Sequence, residues 1–210
     1  TGGFNPTLEA WAELYKTGQK VMTVASVPLK TNVRCVCLVG DNLWVGTQEG
    51  TIHIRTATAS QDSSVPIFEQ VRTLQPENTN SNVNNDSFFV NAIFAQGDKV
   101  WVGSSDGVLR AYDVLGEREL LKNRDHSAGI KDITGATVNG VHYLWTSSED
   151  FTILQRNPAD GTVITKLLGH VNWVRCMTVV LAPSSVFGAG ALTLPMGPTA
   201  GHAPPPLPPR

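Results

Sequence analysis

The fold is decided by residues 33–54, VRCVCLVGDNLWVGTQEGTIHI, which align without a gap with residues 90–111, VNAIFAQGDKVWVGSSDGVLRA. A tryptophan and two glycines recur at an offset of 57 residues. They are Trp44, Gly46 and Gly50 in the first copy and Trp101, Gly103 and Gly107 in the second. Self-similarity of this kind is the signature of a repeat architecture, in which neighbouring units bury one another.

Two further copies follow the second one. At an offset of 44 residues, Trp145 and Asp150 lie under Trp101 and Asp106. The same offset aligns His126 with His170, so a fourth copy begins at His170. We therefore assign units to residues 33–74, 90–122 and 130–167, with the start of the next unit at 170.

Each unit predicts four short strands. They cover 33–39, 42–47, 51–55 and 70–74 in the first unit, 90–95, 99–104, 108–113 and 119–122 in the second, and 130–137, 142–147, 152–156 and 163–167 in the third. The first two strands are often apolar at consecutive positions, which indicates burial on both faces. Four short strands per unit of 40 to 45 residues predict an all-β fold, a β-propeller of four-stranded antiparallel blades. About three blades and part of a fourth are present.

These units resemble the WD-repeat family over about residues 33–177. Its best matches are the run from Asp106 to Asp113 and the dipeptide Gly169-His170. The Trp-Asp dipeptide of the family is replaced by Arg55-Thr56, Tyr112-Asp113 and Arg156-Asn157. The resemblance implies a divergent WD40-like propeller that holds other proteins. Its repeat-defining positions here are Trp44, Gly46, Gly50, Trp101, Gly103, Asp106, Gly107, Asp113, His126, Trp145, Ser148, Asp150 and His170.

The resemblance also implies a buried hydrogen-bond network in each blade, made of a serine, a histidine, an aspartate and a tryptophan. Only the third unit carries most of its parts. Ser148, Asp150 and His126 match the pattern, and Arg156 stands where the tryptophan would be. We therefore predict a structural role for His126 and His170 and no metal site.

No sequence motif indicates an enzyme. The chain has no nucleophile elbow, phosphate-binding loop, dinucleotide fingerprint or zinc-protease motif. Cys35 and Cys37 lie two apart on one strand without further ligands, which indicates core thiols. The equivalent tryptophans are interpreted as packing residues between blades. The prediction is a non-catalytic protein without cofactor or metal.

Charge and cysteine content indicate the setting. A formal net charge of −2 argues against nucleic acid as a partner. Three cysteines without a secretory signal favour a reduced, cytoplasmic or other intracellular protein. Glycines and prolines interrupt the apolar C-terminal stretch, so no membrane span is predicted.

Candidate partner contacts fall into two groups. Trp173 beside Arg175 is the best interaction residue by type if it is exposed. Pro205, Pro208 and Arg210 fit a polyproline ligand of an SH3-type domain. A further group of four arginines is assigned to a mixed, solvated surface, with a face for an acidic peptide or a phosphoinositide as the alternative: Arg55, Arg110, Arg156 and Arg175.

The ends of the chain differ from the repeats. Residues 1–32 predict a short amphipathic helix beginning after Thr7 and a strand over 20–27, the last strand of a preceding blade. Residues 33–181 hold the blades. Residues 182–210 are rich in Pro, Gly and Ala and are interpreted as a disordered or non-native tail. Because three blades leave open edges, we expect the chain to be a fragment of a larger propeller.

The function predicted from the sequence is a scaffold that binds other proteins. The alternative is the regulatory propeller portion of a larger enzyme. The Trp-Val-Gly-x-x-x-Gly pattern resembles the amino-terminal propeller of some inositol polyphosphate 5-phosphatases, whose catalytic domain is absent from these 210 residues.

Overall fold

The computed structural model describes residues 7–12, 22–28, 31–58, 67–77, 88–138 and 140–180, and in this part of the chain all regular structure is β-strand. A hairpin comes first, formed by β1 (Thr7–Ala12) and β2 (Met22–Pro28). The first blade contains β3 (Val33–Val39), β4 (Asn42–Thr47), β5 (Ile52–Thr58) and β6 (Ile67–Leu74). The second contains β7 (Val90–Gln96), β8 (Lys99–Ser104), β9 (Leu109–Asp113) and β10 (Glu119–Asn123). The third contains β11 (Ile130–Val138), β12 (Val141–Ser148), β13 (Ile153–Arg156) and β14 (Val163–Leu167).

Each blade is one antiparallel sheet whose strands follow chain order. The register repeats as well, because the first residue of each blade's first strand pairs with the last residue of its second strand. The pairs are Val33 with Thr47, Val90 with Ser104, and Ile130 with Ser148. The predicted all-β, four-stranded propeller blades are thereby confirmed, and the repeat alignment corresponds to equivalent positions in space.

The blades pack through the Trp-Val-Gly motif. Trp44 is fully buried against the second blade, with its ring centroid 6.3 Å from that of Tyr112. The glycine two residues later explains how closely the blades approach. A Cβ on Gly46 would lie 2.6 Å from Val90 Cγ1, and a Cβ on Gly103 would lie 2.5 Å from Ile130 Cγ2. A larger residue at either glycine would push the first strand of the following blade away.

Trp101 repeats this packing between the second and third blades, where it contacts a cluster that includes Ile130 and Leu144. Trp145, its equivalent in the third blade, is only half-buried. It stacks on Tyr143 of its own strand, with ring centroids 5.8 Å apart. The equivalent tryptophans therefore occupy the same position in three sheets, and two of them lie between described blades.

The N-terminal prediction of a helix is wrong. Residues 7–12 form β1, which pairs antiparallel with β2. A short amphipathic stretch is marginal as an isolated helix. β2 contains β-branched residues, among them Thr23 and Val27, which favour an extended conformation. Pairing with β1 then satisfies the backbone hydrogen-bonding groups of both segments. The predicted strand at 20–27 corresponds to β2, paired within this hairpin.

The fourth unit also differs from its prediction. Residues 168–180 form no strand, although Val174 is buried and its N–H donates to the Ser148 carbonyl at 3.1 Å. Residues 181–210, including the predicted SH3 ligand, lie outside the described residues. In the described part of the chain, no helix is long and apolar enough to cross a membrane.

Candidate functional site

A pocket lies where the first strands of the three blades begin. Its cavity measures about 320 Å³, and its lining residues define what we call the basic pocket: Asn32, Val33, Arg34, Gln48, Asn91, Lys131 and Arg175. Four of these residues occupy one repeat position, directly after the aligned apolar residue of each unit. They are Arg34, Asn91, Lys131 and Arg175. Because the repeat brings equivalent positions together, one column of the alignment becomes one wall of the pocket.

The pocket is positively charged. Three of its lining residues are cationic and none is acidic. Lys131 is the only one of the three with a described ion pair, since its Nζ lies 2.5 Å from Glu149 Oε1. Arg34 donates from Nε to Asn91 Oδ1 at 3.1 Å, and its guanidinium lies 5.0 Å from the centroid of the Phe89 ring.

Trp173 stands at the rim of this pocket and is 44% exposed. Its ring centroid lies 5.3 Å from Lys131 Nζ and 5.1 Å from Arg175 Cζ, so two cations of the pocket lie over the indole ring. Val174, between Trp173 and Arg175, is anchored on the third blade by its backbone hydrogen bond. Because side chains alternate in direction along an extended chain, Trp173 and Arg175 are presented together. These two residues are among those that the sequence predicted as partner contacts.

The third blade contains a second polar cluster that superficially resembles a catalytic triad. Asp150 Oδ2 lies 2.9 Å from His126 Nδ1, and His126 Nε2 lies 2.8 Å from Thr146 Oγ1. Arg156 Nε donates to that same hydroxyl at 2.9 Å. An ionised carboxylate can only accept, so His126 Nδ1 carries a proton and donates it to Asp150, and in the neutral ring Nε2 accepts from the Thr146 hydroxyl.

This cluster is closed to substrates. Thr146 is fully buried, His126 is 2% exposed, and the hydroxyl that a nucleophile would use is occupied on both sides. The hydroxyl in the network is Thr146, which corrects the prediction of Ser148. Ser148 Oγ donates instead to the Ala128 carbonyl at 3.0 Å. The cluster ties the loop before the blade to its second and third strands.

Ionisation follows from this burial. Burial lowers the pKa of His126, and the hydrogen bond to Asp150 only partly offsets it. Burial raises the pKa of Asp150, but hydrogen bonds from Thr152 and His126 outweigh it and hold that pKa at about 2. Arg156 completes the network through Asp125, with Nη1 2.7 Å from Oδ2. The folded state therefore holds a neutral histidine beside an ionised aspartate.

A pH dependence of stability follows from the lowered pKa of His126. Below its ordinary pKa of 6.5 the unfolded chain takes up a proton that folded His126 refuses, so stability falls as the pH decreases. The thermal midpoint should drop between pH 7.5 and pH 5.5 in the parent chain, and drop less in His126→Gln. Equal drops in both proteins would contradict the prediction. The Asp150 contribution is complete above the ordinary pKa of 3.8 and is lost as the pH falls from there through about 2.

Three of the four arginines predicted to be solvated are buried instead. Arg55, Arg110 and Arg156 are at most 8% exposed. Arg110 forms a buried ion pair with Asp106, with Nη2 2.9 Å from Oδ2, and also donates to Ser104 Oγ at 3.1 Å. These three arginines therefore belong to neither of the surfaces proposed for them. Arg175 is the one member of the predicted group at an exposed site.

The remaining residues singled out in the sequence lie in turns, on the surface or in a buried position within a blade. Asp113 accepts the backbone N–H of Glu117 at 2.7 Å and so closes the turn after β9. Gly50 and Gly107 adopt positive φ angles of 76° and 80° in the turns before β5 and β9. His170 is exposed. Burial raises the pKa of Cys35 to about 12, and in the described residues no group of three His, Cys, Asp or Glu side chains could hold a metal ion.

Sequence reasoning missed most of the basic pocket. It selected Arg175 and Trp173 but passed over Arg34, Asn91 and Lys131. The signal was available, because these residues share the column of Arg175 in the repeat alignment. A column of polar residues directly after a buried apolar one, at the start of each inner strand, indicates a shared surface.

Comparison with known proteins shows the fold. No protein-family model matches the sequence, and no curated protein does. Solved structures match well: U3-55K at 14% identity and a TM-score of 0.53, with 69% of this chain and 41% of that one covered. The WD40 repeats of RRP9 match at 14% identity and a TM-score of 0.52, with the same coverage. A chain of the mitotic checkpoint complex matches at 18% identity and a TM-score of 0.54, with 70% and 43% covered. The chain therefore has the WD40-type propeller fold and spans about two fifths of the length of these structures.

Proposed function

We propose that this chain is part of a non-catalytic scaffold that binds another protein through the basic pocket and Trp173. The observation that carries the proposal is the half-exposed Trp173 between Lys131 and Arg175 at the rim of a concave, charged cavity. Tryptophan and arginine are the residue types most enriched among the side chains that dominate protein interfaces.

Rigid supports favour binding at this place. Arg34, Asn91 and Lys131 lie at the second position of β3, β7 and β11, each between buried or half-buried neighbours of a sheet. Asn91 Nδ2 donates to the Ile130 carbonyl at 2.9 Å, so the side chain that holds Arg34 is itself held by the next blade. A site built on strands of neighbouring sheets keeps its geometry before the partner arrives, which lowers the cost of binding.

The polar clusters of the blades supply no competing catalytic site. The resemblance of Asp150, His126 and Thr146 to a triad ends at their burial, because a substrate would have to reach a hydroxyl with no exposed surface. The solved structure described as the WD40 repeats of RRP9 shares this fold. A binding role needs only the exposed surface described above.

A peptide-display selection tests the proposal. The 210-residue chain should enrich peptides with a shared motif, and Trp173→Ala should weaken their binding by about tenfold or more, the effect of removing a dominant interface side chain. Trp145→Ala offers a control, since this tryptophan is half-buried in its own blade. The proposal fails if no motif is enriched, or if Trp173→Ala binds the selected peptides as tightly as the parent chain.

A further inference from the structure

We propose that the basic pocket binds an acidic side chain of a peptide segment, and that the neighbouring peptide residue packs on Trp173. This inference rests on the proposed function and names the chemistry of the partner. It commits to a carboxylate-bearing stretch of another protein.

The charges of the pocket are largely available. In the described part of the chain, neither Arg34 nor Arg175 has a carboxylate within ion-pair distance, whereas Lys131 has Glu149. Arg34 uses only Nε in its side-chain hydrogen bond to Asn91, which leaves its two terminal amino groups. A guanidinium fork with free donors matches the two oxygens of a carboxylate.

The amide side chains of the pocket strengthen this preference for an anion. Asn91 Oδ1 accepts from Arg34 at 3.1 Å, and Gln48 Oε1 accepts from Asn32 at 3.0 Å. Two of the three amide oxygens in the lining are therefore used within the protein. Asn91 and Asn32 also use one amide N–H each within the protein, so the pocket mainly offers the charged donors of its cations, which suit an anionic ligand.

Shape and charge count favour a peptide over other anions. At about 320 Å³ the cavity lies at the small end of ligand pockets, about 300–1,000 Å³, and is concave. Three cations are fewer than the 4–8 basic residues, roughly, of a segment that binds an anionic membrane. Nucleic acid requires an extended basic surface, and this chain has a net charge of −2. One or two acidic side chains fit the number of cations present.

Trp173 defines the second part of the ligand. Because Lys131 and Arg175 both contact its ring, an acidic group bound by Arg175 brings the adjacent residue of the peptide close to the indole. An exposed indole gains most from covering by an apolar or aromatic side chain. The expected motif therefore combines an acidic residue with an apolar neighbour.

Fluorescence anisotropy with a labelled glutamate- and leucine-containing peptide tests the inference. The same peptide with glutamine for glutamate serves as the uncharged probe. The glutamate peptide should bind the 210-residue chain at least about tenfold more tightly, and Arg34→Gln or Arg175→Gln should each remove about tenfold of that affinity, as expected for a charge-assisted hydrogen bond. Glu149→Gln should tighten binding severalfold, because it releases Lys131 from its ion pair.

A matched control separates the site from overall charge. Arg118 has a 77% exposed side chain beside Asp113 and is not part of the basic pocket, so Arg118→Gln should leave the affinity within about twofold of the parent. Thermal unfolding must show that all four variants are folded, and the increase expected for Glu149→Gln is a gain that misfolding does not produce.

Several outcomes would overturn the inference. Equal affinity for the glutamate and glutamine peptides, equal losses in Arg118→Gln and Arg34→Gln, or stronger Arg34-dependent binding to phosphatidylserine vesicles or oligonucleotides would each do so. Selected peptides that need Trp173 but carry no acidic residue would reject the acidic ligand and leave the proposed function standing. If no peptide binds in a way that depends on Trp173, the proposed function itself is rejected.

Discussion

Arg110→Met is expected to lower the free energy of unfolding by about 3–5 kcal/mol, the usual cost of removing one member of a buried ion pair. Arg110 is fully buried, and its guanidinium contacts both oxygens of Asp106, at 2.9 Å and 3.4 Å. The same group donates to the Glu77 carbonyl at 2.6 Å and so holds the chain beyond β6 against the second blade. Urea unfolding followed by tryptophan fluorescence measures the change.

The double variant Asp106→Asn with Arg110→Met is the control for this prediction. It removes both charges, so much of the lost stability should return. If the single and double variants unfold at the same urea concentration, the ion pair is not the cause of the loss. If Arg110→Met unfolds like the parent chain, the buried pair does not contribute to stability in solution.

His126→Ala should lower the free energy of unfolding by about 3 kcal/mol. The substitution removes one hydrogen bond to the Asp150 carboxylate and one to the Thr146 hydroxyl at once, and both groups lie inside the third blade. Thr146 keeps Arg156 and Asp150 keeps Thr152, so the loss is that of the two hydrogen bonds, about 1.5–3 kcal/mol for the charged one and about 0.5–1.5 kcal/mol for the other. The loss should concentrate in the third blade, which hydrogen exchange of the β12 and β13 amides would detect.

His142→Ala provides the matched substitution outside the network. His142 is exposed on β12, where its Nδ1 lies 2.7 Å from Thr137 Oγ1. Its loss should change the free energy of unfolding by less than about 1 kcal/mol. A result in which both histidine variants destabilise equally would show that the His126 network has no special role.

The repeat allowed most of the fold to be predicted. An offset of 57 and then 44 residues placed the strands of three blades to within a few residues, because each blade buries the same apolar positions against the next one. The N-terminal segment lies outside the repeat and was predicted incorrectly as helix. Its periodicity over a few residues did not distinguish a helix from a strand paired with β2.

The buried arginines were beyond prediction for a specific reason. Arg110 shares its repeat position with Leu154 in the third blade and His53 in the first. That column tolerates apolar or charged residues, depending on whether a carboxylate is close. In the second blade Asp106 approaches Arg110 across the turn at Gly107, while in the third His126 forms a hydrogen bond with the equivalent Asp150. Such a difference in partners between blades can be recognised only from the three-dimensional structure.

The site was predicted in part. Residue type alone selected Trp173 and Arg175, and the structure brings them together with Arg34 and Lys131. The regulatory propeller of an inositol polyphosphate 5-phosphatase-like enzyme stays a prediction, as do the intracellular location and the SH3 ligand at Pro205, Pro208 and Arg210, because no described residue tests them. Either scaffold or enzyme would present the same basic pocket.

A crystal structure of the chain with a peptide from the display selection tests the central claim most directly. We predict peptide density across Trp173, with an acidic side chain between Arg34 and Arg175. Density at another surface, for example the wider cavity beside Leu38, Val114 and Leu115, would contradict the claim that this chain binds its partner through the basic pocket.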